Sequence, residues 1–105
     1  MSPNKVIRDQ VVRLEDLPNI GKAMVADLHQ LGIHAPAALV GQDPFAMHAA
    51  LCNITGMQHD PCVIDLFMSI VSFMEGGAAL PWWSFTEKRK QTQAARLQHK
   101  TRVPL

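Results

Sequence analysis

Pro18 and Gly21 bracket the one place where this chain is made to reverse, in the run Leu17-Pro18-Asn19-Ile20-Gly21-Lys22. Proline lacks a backbone N–H and clashes with the turn before it, so no preceding helix continues through Pro18. Asparagine is among the few non-glycine residues that tolerate positive φ, and glycine has free torsions, so Asn19 and Gly21 together permit a tight reversal. Beyond it, Ile20, Met24, Leu28 and Leu31 recur at spacings of four, four and three. That is one face of a helix over about Lys22 to Leu31, and Gly32 follows where a left-handed C-cap is expected. Upstream, Val11, Val12, Leu14 and Leu17 predict a short first helix from about Arg8 to Leu17, with Arg8 and Arg13 opposite. The expected unit is helix, hairpin, helix.

Three proline starts punctuate the next part of the chain. His34-Ala35-Pro36 predicts a helix of one or two turns over Ala37 to Val40, stopped by Gly41. Asp43-Pro44 is stronger, because aspartate is a good N-cap. Phe45, Met47, His48, Leu51, Cys52 and Ile54 then carry a helix to about Thr55, closed by Gly56. Asp60-Pro61 opens the most apolar helix, which runs to about Glu75 before Gly76-Gly77. Its polar residues after the cap, Asp65, Ser69, Ser72 and Glu75, form one narrow stripe, leaving roughly three-quarters of its circumference apolar. Such a helix is either surrounded by its own domain or completed by a second copy, so a homodimer stays open. Ser84-Phe85-Thr86-Glu87 fits a capping box ahead of a basic helix reaching about His99. No strand-like alternation appears. The fold class expected is all-α, a single small domain of five or six helices, with residues 1–85 as the body and 86–105 as a basic C-terminal helix or tail.

Hydrophobic residues make 48% of the chain and charged residues 18%, which favours a packed core over disorder. A chain of this size buries about 65% of its unfolded surface without covalent help. Two cysteines do not make a disulfide framework, Ser2-Pro3-Asn4 reads as a frayed start, and Met1 to Lys5 shows no basic-then-apolar leader; a cytoplasmic protein is expected. The apolar run Pro61 to Met74 contains Asp65 and falls short of the roughly twenty residues of a membrane span, so no membrane partner is expected. Charge is uneven. Residues 1–85 carry Lys5, Arg8, Arg13 and Lys22 against eight acidic groups, whereas residues 86–105 carry Lys88, Arg89, Lys90, Arg96, Lys100 and Arg102 against Glu87. A basic tail on an acidic body fits a nucleic-acid partner, and equally a tail that lies on its own body.

Leu17-Pro18-x-Ile20-Gly21, with Leu28 seven residues on, resembles the helix-hairpin-helix motif common in DNA-binding and DNA-repair proteins. Asp43-Pro44, Asp60-Pro61-Cys62-Val63-Ile64-Asp65 and Pro81-Trp82-Trp83 resemble a specific small bacterial family. Its members are described as pathogenicity locus or helix-hairpin-helix proteins, and sometimes as mitomycin-resistance proteins. The resemblance covers roughly residues 12–90 and implies the fold more strongly than an activity.

In the hairpin, the backbone N–H groups of Ile20, Gly21 and Lys22 would stand unpaired at a helix N-terminus, where the macrodipole favours an anion. The motif's usual anion is a DNA phosphate, so the resemblance implies weak, non-specific DNA binding by Asn19, Ile20, Gly21 and Lys22, with Lys88, Arg89 and Lys90 adding charge. Two departures from the motif are visible: Asn19 stands at the usual first glycine, and Ala23 where a lysine is common. Glu15, Asp16 and Asp27 also surround the hairpin with negative charge. The alternative is a protein-interaction or self-associating module that touches no nucleic acid.

His48-x3-Cys52 and His59-x2-Cys62 supply two imidazoles and two thiols, a possible zinc set. The plainer reading keeps Cys52 as a small core residue and His48 either exposed or bonded to a carbonyl. A lowered pKa, and with it a reactive-thiol or redox role, is open to Cys62 in the first turn of a helix, with His59 helping if protonated and Asp60 opposing. Trp82 and Trp83 serve as a latch for the last helix or as a stacking surface for an unpaired base. His29 and His34 are expected to face solvent. No glycine-rich phosphate loop and no nucleophile with a base and an orienting partner is legible, so neither an enzyme nor a cofactor is expected.

Overall fold

The computed structural model describes the backbone of residues 8–101 and the side chains of residues 9–96. The expected frayed start at Ser2-Pro3-Asn4 and the side chains of Arg8, Leu97, Lys100 and Arg102 lie outside that range. Among the described residues all regular structure is helical: α1 (Lys22–Gln30), α2 (Pro44–Thr55), α3 (Cys62–Met74) and α4 (Thr86–Thr101). Single 3-10 turns at Arg8–Gln10, Leu14–Asp16, Pro36–Leu39 and Trp82–Phe85 join them. Four α-helices therefore stand where five or six were expected.

The first expected helix, Arg8 to Leu17, is one that does not form. The Asp16 carboxylate accepts the backbone N–H groups of Val12 (3.2 Å) and Arg13 (3.0 Å), a local bond that competes with helix hydrogen bonds. Leu14 and Leu17 still reach the core, but Val12, expected on the same face, is 76% exposed. The turn at Pro36–Leu39 replaces the second short helix and stops at Gly41, whose φ is +84°.

The local start and stop signals hold at α1, α2 and α3. Asp43 caps α2 by accepting the Phe45 N–H at 2.9 Å, and Asp60 accepts the Cys62 N–H at 2.8 Å at the start of α3. Gly32 ends α1 at φ +81°, with the Ile33 N–H reaching back to the Leu28 carbonyl at 2.9 Å. The capping box expected at Ser84 is absent. Ser84 lies inside the turn Trp82–Phe85, which Pro81 opens and which runs straight into α4, so no free helix end is left for it to cap.

α3 is the centre of the domain and packs against α2, α4 and the turns at Pro36–Leu39 and Trp82–Phe85. Ile64, Phe67, Met68, Ile70, Val71 and Phe73 are buried within the one chain, joined by Leu14, Leu17, Leu28, Ile33, Leu39, Met47 and Leu51. Most of its broad apolar face is covered by its own domain. Its polar stripe runs from buried Asp65 and Ser69 to half-buried Ser72 and exposed Glu75. Asp65 reaches α4, Ser69 reaches the hairpin, the Ser72 carbonyl takes the Gly77 N–H at 2.8 Å, and Glu75 takes the Gly41 N–H at 2.8 Å. The side chains of Asp65, Ser69 and Glu75 thus each fix a different segment to an otherwise apolar helix.

Candidate nucleic-acid interface

At the reversal, Pro18 is buried and Asn19 carries the positive torsion, φ +67°, the only such non-glycine residue among those described. The Asn19 amide holds it there by donating to Ser69 Oγ (3.2 Å) on α3 and to the Leu80 carbonyl (2.9 Å). Gly21 is different. Its backbone is extended (φ −115°, ψ 178°), a conformation open to any residue, and a Cβ built on it meets nothing within 4 Å. It precedes α1 with no side-chain cap, so the first-turn N–H groups of α1 are left to solvent. Lys22 is exposed beside them.

The Asn19–Leu80 bond also sets the hairpin next to the segment that leads into Trp82 and Trp83. Those rings meet edge to face at 5.7 Å; Trp82 is half-buried and Trp83 is 62% exposed. His29 and His34, on the far end of α1, are exposed with their rings 4.9 Å apart.

The three expected cations of α4 do not share one environment. Lys88 and Lys90 are exposed. Arg89 points inward, where its Nε donates to Asp65 Oδ1 at 2.7 Å and its Nη1 to Gln93 at 3.2 Å. Thr86 Oγ1 donates to the other oxygen of Asp65 at 2.7 Å. Asp65 is fully buried and Arg89 is 8% exposed. The hydrogen bond to Asp65 raises the Arg89 pKa further. Arg89 is therefore a correction to the expected phosphate contacts: it completes a buried ion pair, because a carboxylate buried on α3 needs a charged and hydrogen-bonded partner. Arg96, at the surface, reaches Asp43 at 3.5 Å and lies 4.3 Å from the Phe45 ring centroid, a cation–π contact. The basic helix is thus fastened to its own body at two points, and the signal was present in Asp65, an isolated carboxylate in an apolar run.

In the possible zinc set, His48 and Cys52 meet the backbone of His59 rather than its ring. His48 is buried with Nε2 3.0 Å from the His59 carbonyl, and the His59 ring is 2.8 Å from Thr55 Oγ1. Cys62 is exposed, and its thiol bonds to Asp60. Among the described residues no group of three or more His, Cys, Asp or Glu side chains is placed to hold a metal ion. The lowered pKa open to Cys62 from the sequence is reversed. The Asp60 carboxylate, hydrogen-bonded to that thiol and held below its own ordinary range by the Cys62 N–H, pushes Cys62 up.

No helix among the described residues is long and apolar enough to cross a membrane. A small all-helical domain whose reversal at Asn19 is tied to its central helix is the class this geometry defines. The chain belongs to the family described as Pathogenicity locus, whose match spans residues 7–91. It is also 35% identical over 81 residues to "Mitomycin resistance protein McrB" of Streptomyces lavendulae, an alignment covering 77% of each chain. No solved structure gives a significant match.

Proposed function

We propose that the protein is a small, non-enzymatic protein of the cytoplasm that binds DNA weakly and without sequence preference through a helix-hairpin-helix-like reversal whose first helix is reduced to a 3-10 turn. The observation that carries this reading is the start of α1. Asn19 is locked at positive φ by Ser69 and Leu80, and it presents Gly21, a glycine that neither torsion nor packing requires, at an uncapped helix N-terminus. A glycine there leaves the backbone open to close approach by a phosphate. Lys22 supports the same contact, and Lys88 and Lys90 supply the remaining charge. Phosphate contacts of this kind position a duplex without reading its bases.

A second reading, a protein-interaction or self-associating module, is favoured by apolar side chains left exposed on a domain this small: Val12, Ile54, Met57 and Trp83. Both readings are compatible with a role in resistance, which is what the name of the streptomycete relative describes.

Fluorescence anisotropy with a labelled duplex and a labelled single strand, across a salt series, separates them. Three lysines on phosphates give a slope of log K against log salt of about −3. Lys22→Ala and the pair Lys88→Ala, Lys90→Ala should each weaken binding and flatten that slope. No binding at low salt by the folded protein, with dimer formed in sedimentation, would leave the second reading. A chain stopped at Phe85 is a poor probe, since it strands Asp65 in the core without Arg89.

A further inference from the structure

Residues 56–60 fold back over the last turn of α2 and bring His59 against Cys52 and His48. Cys52 Sγ accepts a hydrogen bond from the His59 backbone N–H at 3.3 Å. The His48 ring lies against the same sulfur, with Nδ1 at 3.9 Å and Nε2 at 3.8 Å. Nε2 also sits 3.0 Å from the His59 carbonyl oxygen, which can only accept. In the neutral ring, then, Nε2 carries the proton and Nδ1 keeps its lone pair. The His59 ring is held in turn. Thr55 donates its hydroxyl proton to the Leu51 carbonyl at 2.8 Å and so accepts from His59 Nε2.

A half-buried thiol is therefore met by an imidazole with a free lone pair. An acceptor behind the imidazole fixes its tautomer, and a backbone N–H is aimed at the sulfur. Nucleophile, base and orienter are the parts of an activated thiol. The sulfur lies alongside the ring, nearly as far from one nitrogen as from the other, rather than in line with Nδ1, and such contacts commonly tighten only when the reacting partner arrives.

We propose that Cys52 is a reactive-thiol site that exchanges with low-molecular-weight disulfides, with His48 as its base. His48 Nδ1 takes the thiol proton, and the His59 N–H holds the resulting anionic sulfur. Sγ attacks one sulfur of the reagent. A new S–S bond forms as the old one breaks, and the departing thiolate collects the proton from His48. Cys52 is oxidised to the mixed disulfide and the other half of the reagent is reduced to a thiol.

Cys62 is an internal control, being more exposed but held up by Asp60. The full chain is incubated with oxidised glutathione at neutral pH, and modification is followed by peptide mass mapping. Cys52 should react about tenfold faster than Cys62 despite its lower exposure. Equal rates, or Cys62 first, would overturn the proposal. His48→Gln keeps a donor for the His59 carbonyl but has no basic nitrogen; it should slow Cys52 about tenfold and leave Cys62 unchanged. An unchanged Cys52 rate in that variant, folded by circular dichroism, overturns the role of His48. Should the variant not fold, the ratio in the native protein decides alone.

Discussion

Helix α3 carries Asp65, Ser69, Ser72 and Glu75 in a mostly apolar sequence, whereas α4 carries Thr86, Arg89 and Gln93 among exposed cations. The two helices are opposite in composition and alike in use. In each, the polar groups facing the interior hold the helix to its neighbour, and Asp65 with Arg89 is where the two sets meet. Lys88 and Lys90, one position to either side of Arg89, face solvent. Adjacent cations on one helix therefore do different work, one holding the fold and the others presenting charge. On a helix, neighbours in sequence point about 100° apart, so a charge run is never one surface.

The largest effect that would test this contrast is at Arg89. Arg89→Ala leaves Asp65 buried without its partner and should cost about 3–5 kcal/mol in urea denaturation, a large share of the stability of a domain this size. Replacing both, Asp65→Leu with Arg89→Met, should recover much of that loss, because the uncompensated charge is gone. A cost for Arg89→Ala no larger than that for Lys90→Ala would break the comparison.

The hairpin comes next. Asn19→Ala removes both amide bonds and strains the left-handed backbone, for a cost of about 2 kcal/mol. Asn19→Gly relieves the torsion and should cost about 1 kcal/mol, so the difference between the two separates conformation from hydrogen bonding. Arg96→Ala, which gives up an exposed ion pair and its contact with Phe45, should cost about 0.5 kcal/mol by the same denaturation. Lys88→Ala and Lys90→Ala should shift stability by less than about 0.5 kcal/mol. Their expected effect is on binding: each should reduce the salt slope for duplex DNA by about 1.

Much of the fold is legible in local chemistry. Asp43-Pro44 and Asp60-Pro61 announce α2 and α3, and Gly32, Gly41, Gly56 and Gly76 mark segment ends with positive φ. These signals work because a cap or a torsion involves only residues a few positions apart. The reading fails where a side chain competes with the backbone, as Asp16 does in the segment expected to be the first helix. It fails again at Ser84, where a 3-10 turn continuous with α4 leaves no helix start to cap.

The candidate sites divide the same way. That Asn19 takes the left-handed turn and that Lys22 stands free at a helix start follow from the order of residues alone. That Arg89 is unavailable to a phosphate, that Cys62 is raised rather than lowered, and that His59 closes on Cys52 and His48 do not. By itself the sequence determined the boundaries of α1, α2 and α3, the apolar centre at α3 and the place of reversal, because each depends on periodicity or on a torsion only certain residues adopt. Only the tertiary structure decided which polar groups turn inward. Burying a carboxylate such as Asp65 is tolerable only when folding brings a donor from a distant helix to meet it.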